Sequence, residues 1–155
     1  MNFKMMAAAL FSLNLTSAWA VDIDHCPLPH TIKNTQGVYS APTVSGKGQW
    51  VGIATIPRTR AQDRFSADAV TTFQGAVFHG TARDGFSRGV LSRCLYSNAN
   101  QESVDLYFRP DVRPALAVRL LDSKQWKLQP VSSTGLHTYI CKSRLQGGCV
   151  FAVLE

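Results

Sequence analysis

No stretch of this chain supplies the roughly 18 unbroken apolar residues that a membrane-crossing helix needs. No two cysteines form a C-x-x-C pair, and nothing repeats at solenoid length. Glycine and proline, 11 and 7 of 155 residues, are not in excess, which argues against low complexity. Strand signals never alternate with long helical patterns, so a doubly wound α/β fold is excluded. What is present is an average globular balance: 45% hydrophobic, 10% aromatic and 17% charged, with four cysteines and a net charge of +6. That length and balance fit one domain rather than two.

The first twenty residues read as an export signal. Lys4 gives a positive n-region, Met5 to Leu15 an apolar h-region, and Ala18-Trp19-Ala20 a small-x-small cleavage pattern. The competing reading is a buried N-terminal helix, but the abrupt polar switch at Asp22, Asp24 and His25 suits a new N-terminus. Ile23-Asp24-His25 before Cys26 lacks the small apolar residues of a lipid-modified cysteine. Residues 1–20 are thus expected to be a signal peptide and 21–155 a single domain, periplasmic or extracellular.

Cys26, Cys94, Cys141 and Cys149 all fall in the exported part, and an even count behind a signal favours disulfides. Four cysteines allow three pairings, and sequence does not choose among them. A local Cys141–Cys149 bridge is sterically allowed across the segment Lys142 to Gly148, which reads as a hairpin turn, and it leaves Cys26 for Cys94. That second bridge closes a long loop and contributes about 4 kcal/mol on the chain-entropy model. Zinc competes only through Cys26 and His30, a single candidate pair, so no metal and no cofactor is expected.

Val21 to Val44 reads as an irregular opening, broken by Pro27, Pro29 and Pro42, with a turn at Asn34 to Gly37. Cys26, Ile32, Val38 and Tyr39 are its expected anchors on the outside of a sheet. Strands follow over Gln49–Ile56, Thr71–His79, Gly89–Ser97 and Ser103–Arg109. The last is the cleanest, with Val104, Leu106 and Phe108 alternating against Asp105, Tyr107 and Arg109, the period of a sheet with one wet face. Leu116 to Leu120, Trp126 to Gln129, Leu136 to Lys142 and Cys149 to Leu154 complete the set, although Ala115–Leu121 also suits a helix. Only Arg58 to Val70 carries an amphipathic helical pattern. The predicted fold is all-β: one antiparallel sandwich or twisted meander of about 7–8 strands. About 135 exported residues should bury roughly two thirds of their unfolded surface, enough to fold without metal.

Several motifs resemble a known family. They are Cys26-Pro27-x-Pro29-x-x-Ile32, Gly37-Val38-Tyr39-Ser40-Ala41-Pro42, Trp50-Val51-Gly52, and Phe73 with Ala76 and Phe78. Gly89-Val90-Leu91, Cys94-x-Tyr96, Leu106-x-Phe108-Arg109-Pro110, Trp126, Tyr139-x-Cys141 and Cys149-x-Phe151 continue the likeness. In order and cysteine placement they resemble small exported bacterial proteins classified only as a numbered domain of unknown function. The resemblance spans essentially the whole exported chain. It implies a secreted, disulfide-bonded domain and brings no catalytic residues with it.

Gly85-Phe86-Ser87-Arg88-Gly89 matches the G-x-S-x-G nucleophile elbow, which lifts a serine on a strand-to-helix turn. Here a strand follows instead, so the motif reads as a hairpin turn with Gly85 and Gly89 free to take φ > 0. His25, His30, His79 and His137 show no helical i, i+4 ligand spacing, and Asp22-x-Asp24-His25 reads as a solvated start. Trp50 and Trp126 fall on inward strand positions and are expected in the core rather than on a sugar platform.

Basic charge is the usable clue. Without Lys4 the chain has 15 Lys and Arg against 10 Asp and Glu, or +5, and ten of the cations are arginine. Arg58, Arg60 and Arg64 cluster after Pro57, and arginine's planar fork suits phosphate, carboxylate or sulfate. The bland alternative is a solvated basic surface. Nucleic acid has no recognisable module behind it. The expected function is a non-enzymatic binding module for a protein partner or an anionic glycan such as lipopolysaccharide. Arg58, Arg60, Arg64, Tyr107 and Arg109 are the expected contacts. The alternative is a small secreted hydrolase using Ser87 or a histidine–carboxylate pair, and a third reading is an envelope-assembly subunit.

Overall fold

A computed structural model describes residues 21–55, 69–131, 133–145 and 147–154. The expected signal segment 1–20 and most of the expected helix 58–70 lie outside them. Of that helix, Val70 is described, and it opens a strand.

Among the described residues, eleven antiparallel strands form one curled sheet. In chain order they are β1 (Ile23–Asp24), β2 (Lys33–Thr35), β3 (Val38–Pro42), β4 (Gln49–Thr55), β5 (Val70–Thr81) and β6 (Gly89–Asn98). β7 (Ser103–Phe108), β8 (Val118–Leu120), β9 (Trp126–Leu128), β10 (Leu136–Cys141) and β11 (Phe151–Val153) follow. Among the described residues the only helical pieces are two 3₁₀ turns, Pro29–Thr31 and Ser123–Gln125.

The long strand β6 is the branch point. Its one edge carries β5, followed by β10 and β9. Its other edge is shared. Cys94–Ser97 pair with β7, leading to β4, β3 and β2, whereas Gly89 pairs with Val118 of β8, leading to β11 and β1. The two branches curl toward each other because their apolar faces meet. Trp50 of β4 lies 6.1 Å from Phe151 of β11, and Phe108 of β7 lies 5.1 Å from the same ring. Tyr39, Trp50, Phe78, Tyr96, Leu106 and Phe151 are fully buried in that core, and Trp126 nearly so. Packed aromatic pairs of this kind stabilise beyond the area they bury.

The opening segment differs from its irregular expectation. It supplies three short strands, and Tyr39, Ile32 and Cys26 are buried as anchors while Val38 is 44% exposed. Asp24 departs further from the solvated start. It is buried, and its carboxylate accepts hydrogen bonds from the amides of His25 (2.8 Å) and Val44 (3.0 Å), tying β1 to the β3–β4 turn. A two-residue β-strand forms there because β11 provides the partner, with Ile23 opposite Ala152.

Two disulfides are present, Cys26–Cys94 and Cys141–Cys149, with Cα atoms 5.8 and 5.7 Å apart, and no cysteine is free. The first fastens the N-terminal arm onto β6. The second closes the loop between β10 and β11.

Candidate functional site

The β5–β10 ladder ends where Ala76 faces Cys141. The next residue of β5 is Gly75, and a Cβ there would stand 2.9 Å from the Cys141 carbonyl oxygen, so the close approach at the ladder's end requires glycine. Beyond it the chain leaves the sheet at Lys142 and rejoins it at Phe151, with the Cys141–Cys149 disulfide clasping the loop between. Across the gap stands the N-terminal arm. Cys26 bonds to Cys94, the buried Tyr96 hydroxyl donates to the Pro27 carbonyl at 2.6 Å, and the Thr31 amide donates to the Leu28 carbonyl at 2.9 Å. Burial pushes the Tyr96 phenol far above its usual range, so it stays a donor.

Between arm, loop and the first half of β5 lies a cleft of about 660 Å³. Leu28, Phe73 and Leu145 give it apolar walls, Lys142 and Arg144 give it charge, and the His30 imidazole lies on the same lining. Phe73 is held by Tyr96, the ring centroids 5.4 Å apart.

A second, smaller cleft of about 400 Å³ shares Lys142 and adds Lys124 and Lys127. Strand register explains that convergence. Lys127 of β9 pairs with Ile140 of β10, and Lys142 follows two positions later on the same side. Among the described residues no aspartate or glutamate lines either cleft. The ion pairs among them are Lys47–Asp22, Arg93–Asp105 and Arg109–Asp111, so none of the described residues pairs ionically with Lys124, Lys127, Lys142 or Arg144. Exposed cations gathered without counter-charges set up a field that attracts anions.

Of the residues expected from sequence, the described ones, Tyr107 and Arg109, line neither cleft. Arg58, Arg60 and Arg64 lie outside the described residues. Tyr107 is 42% exposed on β7 beside Val51 of β4, and it lines neither cleft. Arg109 is engaged locally: its guanidinium bonds Asp111 at 3.1 Å, holding that carboxyl below its usual range, and packs over Gly48.

Ser87 sits on the exposed turn between β5 and β6. That turn is built by side-chain chemistry, with the Thr81 hydroxyl donating to Asp84 at 3.0 Å and the Asp84 amide returning to Thr81 at 3.1 Å. The Phe86 carbonyl accepts from the Leu120 amide at 2.9 Å, anchoring the turn to β8. Gly85 takes φ +53°, as a turn glycine should, but Gly89 does not share that role. A Cβ at Gly89 would collide with the Phe78 ring and the His79 carbonyl, so this glycine makes room for core packing.

Among the described residues no histidine bonds Ser87. His79 Nδ1 faces the Thr138 hydroxyl at 3.0 Å, and His25 Nδ1 faces the Cys26 carbonyl at 2.8 Å. Burial, with Arg93 nearby, lowers the His79 pKa. The described residues hold no group of three or more metal-ligating side chains. No helix among them is long and apolar enough to cross a membrane.

Sequence reasoning missed His30, Lys124, Lys127, Lys142 and Arg144. The available signal was the disulfide-flanked loop itself, Lys142 to Gly148, which carries two cations and no acid. The contribution of β9 depends on register and has no local signature. A family model described as "Protein of unknown function (DUF3757)" matches residues 20–152. No curated protein and no solved structure matches the chain.

Proposed function

The chain belongs to this DUF3757 family of unknown function, and from that premise we propose that it is an exported, non-enzymatic binding module whose paired basic clefts take an anionic ligand. One observation carries the reading: five basic side chains, His30, Lys124, Lys127, Lys142 and Arg144, line two adjoining clefts that contain no acidic residue among the described residues. Sulfate, phosphate or carboxylate groups meet such an arrangement by charge-assisted hydrogen bonds, with Arg144 offering a planar fork and the lysines point charges. The apolar walls at Leu28, Phe73 and Leu145 would exclude water from one side of the ligand and strengthen those contacts.

Export is part of the same proposal. The 1–20 segment has the pattern of a cleaved signal, and two disulfides suit an oxidising compartment. Arg58, Arg60 and Arg64 are proposed as further anion or partner contacts, and reversing their charges tests them.

The direct test is binding of a heparin hexasaccharide, a soluble polyanion, to oxidised protein at several salt concentrations. Each of Lys142→Glu and Arg144→Glu replaces an attraction by a repulsion at an exposed site, so each should weaken binding about tenfold, a change of roughly 1.4 kcal/mol. Affinity should fall as salt screens the contact. Salt-insensitive binding, or binding indifferent to both reversals, rejects the clefts as an anion site.

A further inference from the structure

Among the described residues, the larger cleft contains an open strand edge. β5 runs from Val70 to Thr81, but β10 covers only Ala76–Thr81. Over Thr71–Gln74, β6 flanks one side, and among the described residues no backbone hydrogen bond forms on the other. The arm facing this edge does not substitute for a strand. Pro27 and Pro29 have no amide hydrogen, and the carbonyls of Pro27, Leu28 and Pro29 already accept from Tyr96, Thr31 and Ile32. Thr71, Thr72 and Gln74 are exposed. An uncovered edge of this kind is a template for another chain.

We propose that this cleft is a strand-addition slot for an extended acidic peptide segment, which lies beside Thr71–Gln74 where β10 would otherwise continue. The proposal rests on the anion-cleft reading and names its ligand class. At about 3.3 Å per residue the open edge is roughly 13 Å long, room for about four residues of ligand backbone. Alternate side chains of an added strand point to opposite faces, so acidic ones on one face reach Lys142 and Arg144 while the others meet Phe73 and Leu28.

Two features select a peptide over other occupants. A row of amides and carbonyls at strand spacing pairs with another peptide backbone, and a glycan offers no matching ladder. A second copy of this chain added at the same edge would bring two Lys142–Arg144 loops together, and like charges oppose that. The Cys141–Cys149 clasp fixes the loop wall in advance, which lowers the ordering cost of binding.

The test uses the oxidised protein and a pool of seven-residue peptides with Asp or Glu at alternate positions and Val, Thr, Tyr or Phe between them. Two matched pools carry N-methyl groups on alternate backbone amides, one pool for each of the two registers, and heparin hexasaccharide is the further probe. Strand addition predicts that the unmethylated pool binds, and that methylation in one of the two alternate registers weakens binding at least tenfold. It also predicts that the amides of Thr71–Gln74 gain hydrogen-exchange protection, and that Lys142→Glu with Arg144→Glu removes most of the affinity. Equal binding of methylated and unmethylated pools overturns strand addition. Binding of the hexasaccharide without the peptides also overturns it, while leaving the anion-cleft reading intact. Failure of both probes overturns both readings.

Discussion

Asp24 shows how one buried carboxylate sets a pH dependence. Burial raises its pKa above the ordinary 3.8, and the amide hydrogen bonds from His25 and Val44 offset that only in part. The folded chain therefore binds this proton more tightly than the unfolded chain does. Unfolding releases the proton in the window between the two pKa values, so stability falls as pH rises through it. Asp24→Asn removes the titration but leaves His25 in place. Urea unfolding from about pH 4 to about pH 7 should show the wild type losing ground to Asp24→Asn as pH rises. Parallel curves for the two proteins would mean that Asp24 is not titrating from a buried site. No local pattern announced this role: Asp22 and Asp24 are alike in sequence, yet Asp22 meets Lys47 at the surface while β1 pairing turns Asp24 inward.

At the scale of elements, the two disulfides have different tasks. Cys26–Cys94 spans 68 residues and contributes about 4 kcal/mol on the chain-entropy model, whereas Cys141–Cys149 spans 8 and contributes about 2.5 kcal/mol. Replacing Cys26 and Cys94 by alanine should therefore cause the larger loss in urea stability. Replacing Cys141 and Cys149 should cost less stability but release the loop that positions Lys142 and Arg144, and so weaken hexasaccharide binding several-fold in protein that is still folded. The reverse pattern in urea unfolding and binding titration would contradict this division.

Regular strands were the legible part of the fold. Val104 and Leu106 are buried while Tyr107 is exposed, because a sheet with one wet face imposes a period of two on its sequence. β1 and β2 were not legible. Two or three residues carry too little pattern, and Ile23–Asp24 becomes a strand only because β11, far along the chain, lies beside it.

The whole molecule joins an aromatic core to an uneven surface. The branch at β6 closes the core through Trp50, Phe108 and Phe151, and leaves the β5 edge and the clasped loop facing outward. A net charge of +6 was visible in composition, but its focus was not. Lys124 and Lys127 reach Lys142 through β9–β10 register, and His30 reaches the same region through the Cys26–Cys94 tether. Elsewhere the molecule presents an apolar sheet face, where Val38 pairs with Ile53 and Val51 with Tyr107. These two surfaces compete as the binding face, and residue-resolved NMR of the oxidised protein titrated with heparin hexasaccharide separates them. The clefts predict salt-sensitive shifts at Lys127, Lys142, Arg144 and Phe73, with Ile53 and Tyr107 unmoved. Shifts confined to Ile53, Tyr107 and Arg109, or none at any of these residues, would contradict the account.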